Sequence, residues 1–447
     1  MSKLLVLNFP SLISQQFLQT DLGELYQSIP FKMIASTIVP PKSQLSGQGC
    51  KPWFTVEGGI GLLVLKHYLK LSDAKLIERI NTDWAMQQFC GILLKPHEVI
   101  KDKNLPSFWR GYIGDSLDIS ALQTIAANHW KPYMNDTGIS SEDATCYESN
   151  INFPTPVKIV WKSCNTVYCS IQKLRKKLKL RDTRCNYEKY KKQFLQYQKS
   201  RKKSKRQEKK LLKSLLKFLL RLLTLHGELV AKYSINISIK DAALLQTITT
   251  VYGQQHSKVY GEVDKIKDRI VSLNKPYIRP IVRGKENKPV EFGAKVNKLM
   301  VDGISFIEHF SYDAFNEGTR LESCVALHQQ LFGKCNMHSA DKIYATNNNR
   351  TYCRKNNINT NFVPKGKQKE AHKEQSKVLR AALDKERATR LEGSFGNEKN
   401  HYLLQKVNAR NAITEKCWIF FGMFTANASI ITKRMVAQKE KAAKIAA

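Results

Sequence analysis

Apolar residues recur at helical spacing from Val56 to Leu71, with Ile60, Leu63, Val64 and Leu65 on the buried side and Lys66 and Lys70 as polar breaks. Ser72-Asp73 then caps a second helix carrying Leu76, Ile77 and Ile80. A third, with Trp84, Met86 and Phe89, stops at Gly91, and a fourth covers about Ile119 to Trp130. Residues 1–50 carry no such period and read as loop-rich, with Pro40-Pro41, Gly47 and Gly49 as breakers. The pattern therefore predicts an all-helical module over residues 1–135.

The period then shortens. Asp143 to Phe153 alternates like a short strand, with Glu142 facing away from Asp143, and Pro154 ends it. Pro289 to Val301 and Ile304 to Phe310 are strand-like and flank Asp302-Gly303, a strong hairpin signal. A helix follows over about Ala314 to Phe332, with Asp313 near its start and Gly333 at its end. Cys335 to Ala340 is a strand with Asp341 at its tip, Asn347 to Asn356 a helix, and Ile358 to Val363 another strand. After a turn at Pro364-Lys-Gly-Lys, a long helix runs from about Lys369.

Between these strands, residues 157–285 form a helical insertion ending in a loop with Pro276, Pro280 and Gly284. Residues 173–217 hold 20 Lys/Arg against three acids, Asp182, Glu188 and Glu208. Tyr187, Tyr190, Phe194 and Tyr197 are spaced for one helical face. Lys209, Lys213, Lys217 and Arg221 step by four into a cationic stripe opposite a face that is nearly all Leu. Lys202, Lys203, Lys205 and Arg206 precede it. A polyanion along the stripe would relieve its self-repulsion, whereas a solvated coiled-coil face and a membrane-surface helix are the competing readings.

Charge sharpens the choice. The 447 residues carry a formal net charge of +35, far beyond what solubility asks of a domain, and nucleic acid is the usual partner of such a surplus. The ten Cys form no Cys-x-x-Cys pair, which reads as a reducing cytoplasm and speaks against a zinc site. No uncharged apolar run reaches about 18 residues, and the Met1-Ser-Lys-Leu-Leu-Val-Leu start is too short for a signal peptide, so membrane association is not expected.

Four motifs then fall in order: Lys51-Pro-Trp-Phe with Leu-Lys-His-Tyr-Leu-Lys-Leu-Ser-Asp and Phe89-Cys-Gly91; Asp143-Ala-Thr145 with Phe153-Pro-Thr155; Glu-Phe-Gly-Ala-Lys295 with Ala340-Asp341-Lys-Ile-Tyr344; and Arg390-Leu-Glu-Gly-Ser-Phe-Gly-Asn-Glu-Lys399. Together they resemble the DDE transposases of bacterial insertion sequences. The chain departs from that family at Pro156 (usually Asp), at Ile343 (usually Gly) and at Ala388, where an Arg often stands four residues before the Glu.

The resemblance implies a ribonuclease H-like α/β catalytic domain, a mixed five-stranded sheet with flanking helices. It would be made of 136–156 and 286–415, with a helical DNA-binding domain at 1–135, the basic insertion at 157–285 and a helical tail at 416–447. It implies Asp143, Asp341 and Glu392 as ligands of Mg²⁺, with Mn²⁺ a substitute, and Lys399 as a phosphate contact. Glu142, Glu148, Glu386 and Glu398 are rival carboxylates, and Asp302 is explained by its turn. Carboxylates about 4 Å apart repel by roughly 4 kcal/mol at an effective dielectric of 20, so such a trio needs cations. The implied activity is cleavage at element ends and strand transfer, with terminal inverted repeats and target DNA as partners, Lys295 and the basic arm as DNA contacts, and a homo-oligomer assembled on DNA in the bacterial cytoplasm near the nucleoid. The alternative is a decayed or domesticated copy that binds DNA without catalysis.

Overall fold

The computed structural model describes residues 15–41, 52–282, 289–366 and 370–446, without the side chains of 370–372 and 446. Gly47, Gly49, Lys51, Gly284, Lys369 and the Met1–Leu7 start, singled out above, lie outside these residues. The fold is a mixed α/β arrangement, a sheet with flanking helices, and the chain divides into two compact units. The first comprises 1–150, 294–311 and 315–447; the second comprises 151–293 and 312–314.

In the first unit, helices α1 (Asp21–Gln27), α2 (Phe31–Ala35), α3 (Val56–Tyr68), α4 (Asp73–Ile80), α5 (Trp84–Phe89), α6 (Leu105–Asp115) and α7 (Ile119–Trp130) precede the sheet. Their starts follow from side-chain caps. Thr55, Ser72, Asp83 and Asp118 each accept a backbone N–H from the first turn, and Gly91 follows α5 with φ +65°. α1, α2 and α6 stand where no helix is expected from apolar spacing. α1 and α2 are too short to show a full period, and α6 starts on Asn104 without a side-chain cap.

Strand β1 (Ile139–Ser149) lies centrally. Along the sheet the order is β4 (Ile304–Ser311), β3 (Val290–Val301), β1, β5 (Met337–Ala340) and β6 (Asn359–Thr360), with β7 (Lys406–Val407) also on β1 and β2 (Pro280–Val282) on β3. β1, β5 and β6 are mutually parallel, and β3 and β4 form an antiparallel hairpin. Its turn residues Asp302 and Gly303 have φ +48° and +79°, the left-handed pair that a two-residue hairpin requires.

Asp302 does more than turn the chain: its carboxylate also receives Arg390, Arg434 and the Asn135 N–H. The next helix, α12 (Leu321–Phe332), begins eight residues after Asp313, because a 3₁₀ turn at Glu317–Thr319 intervenes. β6 is two residues long rather than the six expected, since Asn361 leaves the ladder to bond both Ala340 N–H and C=O.

α13 (Asn347–Lys355) leads on to the helical segment that carries Glu392, and the last helix, α16, spans Ala412–Ala446. The first half of the expected tail from 416 is core, and its end past Val436 is exposed. Cys417, Trp418, Ile419, Phe420, Phe421, Met423 and Phe424 are all buried, and α16 packs against α3, α6 and β4. A helical stretch apolar all round, as here over Cys417 to Phe424, belongs inside.

The second unit is built on α8 (Pro156–Lys177), α9 (Tyr187–Lys199), α10 (Lys205–Lys232) and α11 (Ile239–Tyr260) around one Leu-rich core. Pro156 is the first residue of α8, capped by Thr155, where proline's fixed φ suits a helix start. Ser204 and Gln207 close a capping box at the start of α10.

Candidate active site and basic helix

β1 and β5 run side by side with Glu142 opposite Ala340, so Asp143 and Asp341 are the next residues along two parallel neighbours. Strand alternation sends Glu142 inward. It is fully buried and takes hydrogen bonds from Asn297 Nδ2 at 2.6 Å and His338 Nε2 at 3.1 Å. That rival carboxylate is thus committed to the core. Asp143 faces the other way, half-buried, and accepts the Ala144 N–H at 2.8 Å. Burial is the main reason that its carboxyl is pushed up to about 6, with the Asp341 and Glu317 charges adding and Arg387 opposing. Asp341 is exposed and caps a 3₁₀ turn through Lys342 N–H at 2.7 Å. Ile343, in place of a Gly, is accommodated by pointing to solvent while Tyr344 is buried.

Glu392 reaches this region by an irregularity. α14 (Glu370–Glu386) passes into a π-helical stretch, Arg387–Glu392, before α15 (Gly393–His401). A π-turn carries one extra residue per turn, so the residue above Glu392 is five positions back, not four. That residue is Arg387. Its Nη1 lies 3.1 Å from Glu392 Oε1 and 3.5 Å from Asp143 Oδ2, while its side chain is only 17% exposed. The cation beside Glu392 is therefore Arg387, one residue before Ala388, brought there by the π-helical stretch. Sequence spacing alone points to a missing cation; the signal that could have located it is the Arg at position −5 itself.

α15 is tied to β1. Lys399 Nζ donates to Thr145 Oγ1 at 2.9 Å, and Thr145 shares the strand face of Asp143. Tyr147 on that face donates to Glu398, which also holds the fully buried Lys298 at 2.6 Å. Glu398 is accordingly a structural pair, and Glu386 is paired with Arg390 at 3.0 Å. The structure thus brings Asp143, Asp341, Arg387, Glu392 and Lys399 to one region. Glu392 and Asp341 are exposed, and among the described residues no group of three acidic, His or Cys side chains is gathered tightly enough to hold an ion as the side chains lie. Arg387 fills the space between two of them.

In the second unit, the buried face of α10 is Leu212, Leu215, Leu216, Phe218, Leu219 and Leu222. Lys202, Lys203, Lys205, Arg206, Lys209, Lys217 and Arg221 are exposed. Lys213 is half-buried over the Tyr260 ring at 4.8 Å. The α9 aromatics turn inward: Tyr187 stacks on Tyr168, Phe194 on Trp161 and Tyr190 on Phe218. They are half-buried and pack against the core of this unit. In the first unit, Lys295 is held by Glu317 at 2.7 Å and Phe315 O at 2.9 Å, a structural pairing rather than an open cation. No described helix is long and apolar enough to cross a membrane. Comparison with protein-family models, curated proteins and solved structures finds no match.

Proposed function

We propose that this chain is a DNA transposase of the DDE type, cutting phosphodiester bonds at the ends of a mobile element and joining the freed strand to target DNA. The observation that carries this reading is the Arg387 guanidinium spanning Asp143 and Glu392, with Asp341 the neighbouring position on the parallel strand. Carboxylates from three distant segments are assembled against their mutual repulsion. The strand order β4-β3-β1-β5-β6, with β1, β5 and β6 parallel, supports the ribonuclease H-like domain that the motifs imply.

The donor set is all hard oxygen, which suits Mg²⁺ or Mn²⁺. Asp143, Asp341 and Glu392 would hold the ions; such ions, when bound, activate water and stabilise the leaving 3′ oxygen. Arg387 keeps two of the carboxylates together and neutralises them beforehand. Lys399, held by Thr145, would supply a positive charge to a phosphate oxygen. The exposed Lys and Arg of α10 supply sequence-independent affinity through phosphate contacts.

The test is nicking of terminal-repeat DNA in Mg²⁺ by the full chain. Asp143→Asn and Glu392→Gln should abolish nicking and leave DNA affinity within about twofold. Binding without nicking by the unaltered protein would instead favour the non-catalytic DNA-binding reading.

A further inference from the structure

A cleft of about 1070 Å³ opens in the first unit, and none of Asp143, Asp341, Arg387 and Glu392 lines it. Its inner wall is charged. Lys66 and Arg110, 4% and 5% exposed, share a single carboxylate, Asp73, at 2.5 and 2.9 Å. Both cations also lie 4.7 Å from the centre of the Trp418 ring. Lys70 and Arg410 add two exposed cations to the lining, against one further acid, Asp115. Burying two cations on one anion is costly unless another negative charge arrives.

The cleft also offers a flat apolar face. Phe108, 50% exposed, stacks against Tyr112 with ring centres 5.8 Å apart and planes 25° off parallel. Two lining residues, Lys70 and Leu403, hold left-handed backbone at φ +54° and +59°. Each stands just past a helix C-terminus, where the next N–H closes back onto the helix (Leu71 N–H to Lys66 O, Leu404 N–H to Glu398 O), so the helix ends account for both.

We propose that this cleft binds a nucleotide, its base against the Phe108–Tyr112 face and its phosphate on Lys70, Arg110 and Arg410. Base stacking on aromatics beside backbone-tracking cations is how single strands are held without sequence preference. The volume exceeds what a lone phosphate or carboxylate would fill. Asn408, Ala409 and Arg410 follow β7, which pairs with the end of β1 at Glu148 and Ser149. That end is five or six residues beyond Asp143, roughly 20 Å at strand rise, so one DNA strand could span from the carboxylates to the cleft. Nucleotide binding here does not depend on catalysis at Asp143.

The experiment uses the full chain and a short thymidine strand carrying one 5-iododeoxyuridine, irradiated and mapped by mass spectrometry. The expected adducts fall on Phe108 or Tyr112, and Lys70→Glu or Arg410→Glu, both at exposed positions, lowers their yield about tenfold or more. Lys355→Glu, an exposed position outside both the cleft and the basic helix, leaves that yield unchanged. Competition by free thymidine monophosphate would assign the site to free nucleotides, and competition by the strand alone would assign it to polynucleotide. Absence of adducts between residues 104 and 115, or adducts indifferent to Arg410→Glu in a variant that melts like the parent, overturns the proposal.

Discussion

Asp143 is built at a cost to the fold. Its carboxyl is raised from 3.8 to about 6, mainly by burial. Between those values the folded state binds more protons than the unfolded one, so stability falls as pH rises through about 6. The penalty is absent below about pH 4 and reaches about 3 kcal/mol at neutral pH. Asp143→Asn in EDTA should therefore raise the melting temperature at pH 7 and leave it unchanged at pH 3.5, as calorimetry would show. An equal effect at both pH values would mean that burial of the charge is not the cause. Glu398, by contrast, supports the fold through its ion pair with Lys298. Glu398→Ala strands the fully buried Lys298 and should cost about 3–5 kcal/mol in denaturant unfolding, more than any change at exposed Glu392. Asp143, Asp341, Glu392 and Lys399 each sit in a short motif, and that much of the region they share was legible in the chain. Arg387 was not, because counting assumes four residues per step and the π-turn uses five.

At the scale of elements, patterning located what it could sample over several turns. α3, α4, α7, the β3–β4 hairpin and α12 all follow apolar spacing or turn chemistry. The short helices α1 and α2 offer too few positions for a period to emerge. The aromatic spacing of α9 was visible, but spacing does not say whether a face meets protein or ligand; Tyr187, Tyr190 and Phe194 stack on Tyr168, Phe218 and Trp161, half-buried against the core. The cationic face of α10 is the opposite case, since its Lys and Arg stay exposed above a buried Leu face. Replacing Lys205, Lys209, Lys217 and Arg221 with Glu should weaken duplex binding uniformly across sequences. The slope of log affinity against log salt should shrink by about 0.9 for each phosphate that is no longer neutralised. An unchanged slope in fluorescence-anisotropy titrations would take α10 out of the DNA interface.

For the whole molecule, the chain leaves the first unit after β1 at residue 151, builds the basic helical unit and returns at 294. The acidic constellation is then completed within the first unit by segments from 143, 341 and 387–399. The C-terminal helix was the least legible part. It lies beyond the last motif, yet its apolar run from Cys417 to Phe424 is central to the core of that unit. The most direct measurement is Mn²⁺ binding to the metal-free full chain, followed by the fall of the free-ion electron paramagnetic resonance signal. Saturable binding that is weakened at least about tenfold by each of Asp143→Asn, Asp341→Asn and Glu392→Gln is the expected result. Binding that is absent, or indifferent to all three substitutions, would contradict a shared metal site and leave the carboxylates to Arg387 alone.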